Sequence, residues 1–198
     1  MNDSFDIYVY KMTTDNGGAP CVYRGVLSLA ICKPIIRKVA KVGSLIFGFG
    51  GQRLKNRLIY AAYVTEKPAV GDYYHDSRFY NRPDCIYRER DGKPERIANA
   101  RFHADSDQSE TDVGKSFERA HVLLSKNFRY FGETGTREHE TRYAALAKML
   151  ARLRRYHRIN HPPDVQKELL ELAKLLWQCP AGNHGKPSDA DNSRRCNK

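Results

Sequence analysis

The sequence predicts an α+β fold: a compact, bent mixed or antiparallel β-sheet or barrel, followed by a helical hairpin. Three observations carry this. Short runs rich in β-branched and aromatic residues, punctuated by glycine and proline, fill the chain up to about residue 133. After Gly135 the apolar residues recur every three or four positions. Beyond Pro180 apolar content falls away. At 198 residues the chain can bury one core and carry an appendage. We divide it into an α+β part over 1–133, a helical hairpin over 136–178 packed on it, and a disordered tail over 179–198.

The elements follow in order. FDIYVYKM (5–12) alternates and reads as a strand, and TTDNGGAP is a loop by composition. VYRGVLSLAI (22–31) reads as a strand interrupted at Gly25. Ile35, Ile36, Val39 and Ala40 fit a short helix with Pro34 at its first position, where a missing N–H costs nothing. SLIFGFGG (44–51) and RLIYAAYVTEK (57–67) read as an antiparallel hairpin with an open loop. YYHDSRF (73–79) is a short helical turn. Residues 88–116 are polar and aperiodic, a long and partly mobile excursion. AHVLLSKNFRYFG (120–132) is the next strand.

Over 138–158, Tyr143, Leu146, Ala147, Leu150, Leu153 and His157 share one helical face. Lys148, Arg152 and Arg155 share the opposite one. After a break at Asn160–Pro163, Val165, Leu169, Leu172, Ala173 and Leu176 mark a second helix over 164–178.

The formal charge of +11 and pI near 9.5 point to an anionic partner, and nucleic acid is the commonest for such an excess. The cysteines at 21, 32, 85, 179 and 196 are odd in number and show no CxxC spacing, so free thiols in a reducing compartment, the cytoplasm, are expected. No run of about 18 apolar residues spans a membrane, and MNDSFDIYVYK has no signal core.

Chemistry concentrates between Asp15 and Gly51, where glycines, cations and strand-like residues crowd together. GFGG (48–51) turns into a polar loop, whereas a dinucleotide fingerprint needs a helix there; it is a tight turn or a bare backbone wall for a flat ligand. DVGKS (112–116) lacks the first glycine and the buried strand of a phosphate loop. Cys32 is a candidate nucleophile beside Lys33 and Arg37, although no sequence-adjacent base completes it, and burial is the commoner fate of a cysteine. Lys33 and Arg37 are candidate phosphate contacts or a solvated helix face. The helix cations Lys148, Arg152 and Arg155 are candidate nucleic-acid backbone contacts. Cys179, His184 and Cys196 match no zinc spacing, and neither a metal nor a cofactor is expected. His103, His121, His139 and His157 stand eighteen apart with unrelated flanks, a chance spacing.

The ordered series DNGGAP, CKPIIRK, VGSLIFGFGG, LIYAAYVTEK, YYHDSRF, RPDCIY and VLLSKNFRYFG resembles the nucleotide modification associated domain 2 family, over about residues 5–133. That resemblance implies association with systems that make or handle modified nucleotides in DNA, often in phages and mobile elements. It also implies a barrel similar to the PUA, ASCH and EVE domains. The matching positions are Asp15, Gly17, Pro20, Cys32, Lys33, Pro34, Arg37, Gly48, Gly50, Tyr60, Arg78, Phe79, Tyr130, Phe131 and Gly132.

The expectation is recognition of a modified base in nucleic acid, most readily DNA. The base would sit between the Gly48–Gly51 backbone, Tyr60 and Tyr130, with Asp15 on its edge and Lys33 and Arg37 on phosphates. Gly17 and Arg78 complete the expected ligand set. The competing class is an enzyme that alters the nucleotide, with Asp15 as acid/base or Cys32 as nucleophile.

Overall fold

The computed structural model describes residues 6–104, 108–153 and 157–190. It is a mixed α+β structure built on a six-stranded sheet. The strands of that sheet are β1 (Ile7–Met12), β4 (Leu45–Gly50), β5 (Leu58–Tyr63), β9 (Asn127–Tyr130), β10 (His157–Arg158) and β11 (Gly182–Asn183). Their order is β10-β1-β4-β5-β9-β11, so the sheet has two edges and is not a closed barrel. β1 runs parallel to β4 and β11 parallel to β9; the remaining neighbours are antiparallel. The expected hairpin of β4 and β5 forms, joined through a 3₁₀ turn at Gln52–Leu54.

Alternation divides the sheet into two buried faces. Ile7, Val9, Leu45, Phe47 and Phe49 point to one, where they meet Leu146, Leu150, Leu169 and Leu172 of the C-terminal helices. Tyr8, Tyr10, Met12, Ile46, Tyr60, Phe128 and Tyr130 point to the other. A second sheet covers that face, made of β2 (Cys21–Tyr23), β3 (Val26–Leu29) and β8 (Leu123–Ser125), together with the helix α1 (Pro34–Val39). On this small sheet lies a third layer. It holds α2 (Asp72–His75), the hairpin β6 (Tyr87–Arg90) with β7 (Lys93–Arg96), and α3 (Ser109–Asp112).

Five expectations are corrected. Residues 22–31 are not one interrupted strand but a hairpin, in which Arg24 and Gly25, both at positive φ, make a two-residue turn. Residues 88–116 are not a featureless excursion. Asp91-Gly92 makes a second such turn, and Phe102, His103, Asp112 and Val113 are buried. The strand expected over 120–132 divides into β8 and β9 around Lys126.

The helix expected over 138–158 breaks at Tyr143 into α4 (Glu138–Arg142) and α5 (Ala144–Arg152), and His157 lies in a strand. The second helix, α6 (Pro163–Leu176), buries the five residues of its expected stripe. Where the sequence predicts a tail from 179, residues 179–190 have ordered contacts and 191–198 lie outside the described residues. His184 N donates to the Tyr130 carbonyl and Glu133 N to the Lys186 carbonyl. A polar segment is held here by backbone hydrogen bonds, which composition does not register.

Glycine matters most at Gly48. It pairs with Tyr10 on one side and Tyr60 on the other, and a Cβ there would run into the Tyr60 ring. The bare backbone lets the two tyrosines converge until their hydroxyls share a hydrogen bond of 2.9 Å. Replacing Gly48 by Ala should cost about 1–3 kcal/mol by overpacking, measured as a lower urea midpoint with unchanged m-value.

Candidate active site

β3 ends at Leu29, Ala30 and Ile31 are buried, and the chain turns into α1 at Pro34. The ring of Pro34 disfavours right-handed helical geometry at Lys33. Cys32 and Lys33 instead take φ of 56° and 46°, the left-handed region that L side chains rarely adopt. This strand-to-helix elbow presents Cys32, half-buried, at the rim of the third layer.

His103 meets it there, also at positive φ (58°). Its Nε2 is 3.4 Å from Cys32 Sγ, and its Nδ1 is 3.0 Å from Asp112 Oδ2. Tyr87 Oη donates to the same Asp112 oxygen at 3.0 Å, and Cys32 N donates to Asp112 Oδ1 at 2.7 Å. His103 and Asp112 are both buried. Burial opposes charge on the imidazole more than any other single effect, but its hydrogen bonds to Asp112 and Cys32 and their charges together outweigh it and raise the His103 pKa to about 9. A protonated imidazole one hydrogen bond from a sulfur is the pairing that favours a thiolate. The order nucleophile, base, orienting carboxylate is that of covalent catalysis.

Arg37 fixes this geometry. Its guanidinium is wholly buried. Nε donates to the Cys32 carbonyl at 2.6 Å, Nη1 to the His121 carbonyl at 2.6 Å, and Nη2 to the Asp112 carbonyl at 2.9 Å. The expected phosphate contact is therefore committed inside the protein. Lys33 Nζ lies 4.8 Å from the Tyr10 ring centroid.

Asp15 is close but differently occupied. Its side chain is buried, with Oδ1 accepting from Tyr130 Oη at 2.6 Å and Oδ2 from Ser188 N at 2.9 Å. Desolvation raises its pKa against the lowering effect of those bonds. Gly17, at φ 83°, packs against Pro187. The Asp15 turn is thus capped by the C-terminal segment, and Gly18 abuts the Phe102 ring next to His103. The glycine wall is filled from within: Tyr60 covers Gly48 and Leu54 covers Gly50. GFGG is neither the expected tight turn nor a bare wall: Gly48 to Gly50 are the last residues of β4 and the turn follows at Gln52–Leu54, while Asp15, Gly48, Tyr60 and Tyr130 are packed by the chain's own side chains.

A family model, nucleotide modification associated domain 2, matches residues 4–194. The chain belongs to this family. Comparison with curated proteins and with solved structures found no match.

The match takes in the helical pair and the ordered C-terminal segment, beyond the 5–133 over which the motifs show resemblance. In this nucleotide modification associated domain the remaining predicted residues lie apart from the triad. Lys148 and Arg152 are exposed on α5, across the six-stranded sheet from Cys32, and Arg155 lies outside the described residues. Arg78 is exposed and pairs with Asp76 at 2.6 Å, near the far end of β3.

Sequence reasoning missed His103, Asp112 and Tyr87. No local signal marked His103, 71 residues from Cys32. Asp112 belongs to the DVGKS motif, set aside because it lacks the first glycine and the buried strand of a phosphate loop.

The His103 pKa is near 6.5 unfolded and about 9 folded. Its charged form therefore stabilises the fold in full below pH 6.5, and this contribution, about 3 kcal/mol, is lost as pH rises through 9. Urea unfolding at pH 6 and pH 10 should show that loss in the wild type and not in His103→Gln.

Proposed function

We propose that this domain is a cysteine-nucleophile enzyme that acts on a nucleotide, cleaving or transferring an acyl group on a modified base. The observation that carries this is the line from Cys32 Sγ through His103 to Asp112, at 3.4 Å and 3.0 Å. Membership of a nucleotide-modification family supports the substrate class.

The Cys32 thiolate adds to a carbonyl carbon and its electron pair forms the C–S bond. The carbonyl electrons move onto oxygen. On collapse the bond to the leaving amine or alkoxide breaks, and His103 Nε2–H supplies the proton that the leaving group needs. Water, or an amine on the acceptor, then gives its proton to His103 and attacks the thioester. The acyl group departs on the new oxygen or nitrogen, and the thiolate is restored. Asp112 and Tyr87 hold the imidazole ring so that Nε2 faces sulfur throughout. Recognition of the modified base is part of the same event, because the reacting group must be brought to Cys32. A binding module without chemistry is the alternative.

Iodoacetamide labelling followed by peptide mass spectrometry tests the reading. Cys32 should alkylate faster than the exposed Cys179 at pH 6.5, with Cys21 and Cys85 protected by burial. His103→Gln should slow Cys32 at least about tenfold, as expected when thiolate character depends on an adjacent cation. A Cys32 rate equal to that of Cys179 and insensitive to His103 favours the binding module.

A further inference from the structure

At the opposite end of β3 from Cys32, the Arg24-Gly25 turn and the Ser77–Phe79 turn enclose a surface cavity of about 250 Å³. Tyr23, Arg24, Arg78, Phe79, Arg82 and Lys126 line it, with Glu66 the carboxylate in its wall. The arginines lean on the rings: Arg24 lies 5.2 Å and Arg82 5.8 Å from the Tyr23 centroid, and Arg78 lies 5.1 Å from that of Phe79. Such stacking holds guanidinium edges at the cavity wall. Arg82 is buried and donates to the Tyr23 and Val26 carbonyls, so it is part of the framework. Arg78 pairs with Asp76 and Arg82 with Asp84. Arg24 and Lys126 are exposed and, among the described residues, in no ion pair.

We propose that this cavity docks the phosphate backbone of a single-stranded nucleic acid. Concentrated positive charge in a concave wall selects a polyanion. Phe79 is already stacked on Tyr73 at 4.7 Å, so an unpaired base meets the half-buried Tyr23 and the guanidinium planes that lean on it, and a cavity of this size admits one nucleotide unit rather than a duplex. Cys32 follows Val26, in the cavity, by six positions, so the two are at most about 22 Å apart. At about 3.4 Å per stacked nucleotide, six or seven nucleotides cover that distance. The inference goes beyond the reaction proposed above and needs no chemistry at Cys32.

Fluorescence anisotropy with a labelled 12-nucleotide single-stranded DNA, titrated from 50 to 300 mM NaCl, tests it. The double variant Arg24→Gln/Lys126→Gln should bind about tenfold more weakly at low salt. Its log–log salt slope should flatten by about 0.7 per cation removed. Its melting temperature and its Cys32 alkylation rate should not change. Thymidine monophosphate and inorganic phosphate should compete far less well than unlabelled 12-mer. Wild-type affinity in the double variant, or competition by thymidine monophosphate mole for mole with the 12-mer, overturns the proposal. If Cys32 proves unreactive while the double variant loses DNA, the reaction fails and the docking site stands.

Discussion

The guanidinium of Arg37 sits where no water reaches it, and three stretches of backbone close around it. It draws the Cys32, Asp112 and His121 carbonyls to one point, from positions 75 and 84 residues away along the chain in the last two cases. Hydrogen bonds from a charged donor are worth about 1.5–3 kcal/mol each, and a buried cation left without them is costly. The elbow at Cys32, with two successive residues in the left-handed region, is held against its own strain by this tie. So is the distance between Cys32 and the segment that carries Asp112. The placement of thiol against imidazole therefore depends on an arginine that touches neither.

The six-stranded sheet separates two kinds of work. Its helical face is a plain apolar interface in which α5 and α6 bury their stripes. Its other face carries tyrosines in place of aliphatics, each needing a partner for its hydroxyl. Tyr10 and Tyr60 satisfy one another, Tyr130 is satisfied by Asp15, and Asp15 in turn by the backbone of Ser188. This polar chain carries the C-terminal segment onto the turn that packs against Phe102. The Asp15 turn and the segment around Ser188 are thus joined beside Phe102, the neighbour of His103.

Much of this was legible locally. The alternation of IYVYKM, the proline at the start of α1 and the five-residue stripe of α6 each encode an element through nearest neighbours, and each forms. The dipeptides Arg24-Gly25 and Asp91-Gly92 also carried hairpin signals, the second a strong one that the surrounding polar composition obscured. The segment 88–116 lacked periodicity because it buries isolated side chains, Phe102, His103 and Val113, rather than a face.

By itself the sequence determined the fold class, the positions of most strands and the second helix, the basic charge, and the crowding of glycines, cations and strand-like residues from Asp15 to Gly51. These depend on periodicity, turn chemistry and composition, which act within a few residues. Only the tertiary structure decided how that stretch is arranged. It turned Arg37 from a phosphate contact into an internal tie, and the glycines from a ligand wall into room for tyrosines. It set an imidazole and a carboxylate from 71 and 80 residues away beside Cys32. Hydrogen-bond partners at such separations are chosen by how layers stack, and no spacing along the chain records that choice.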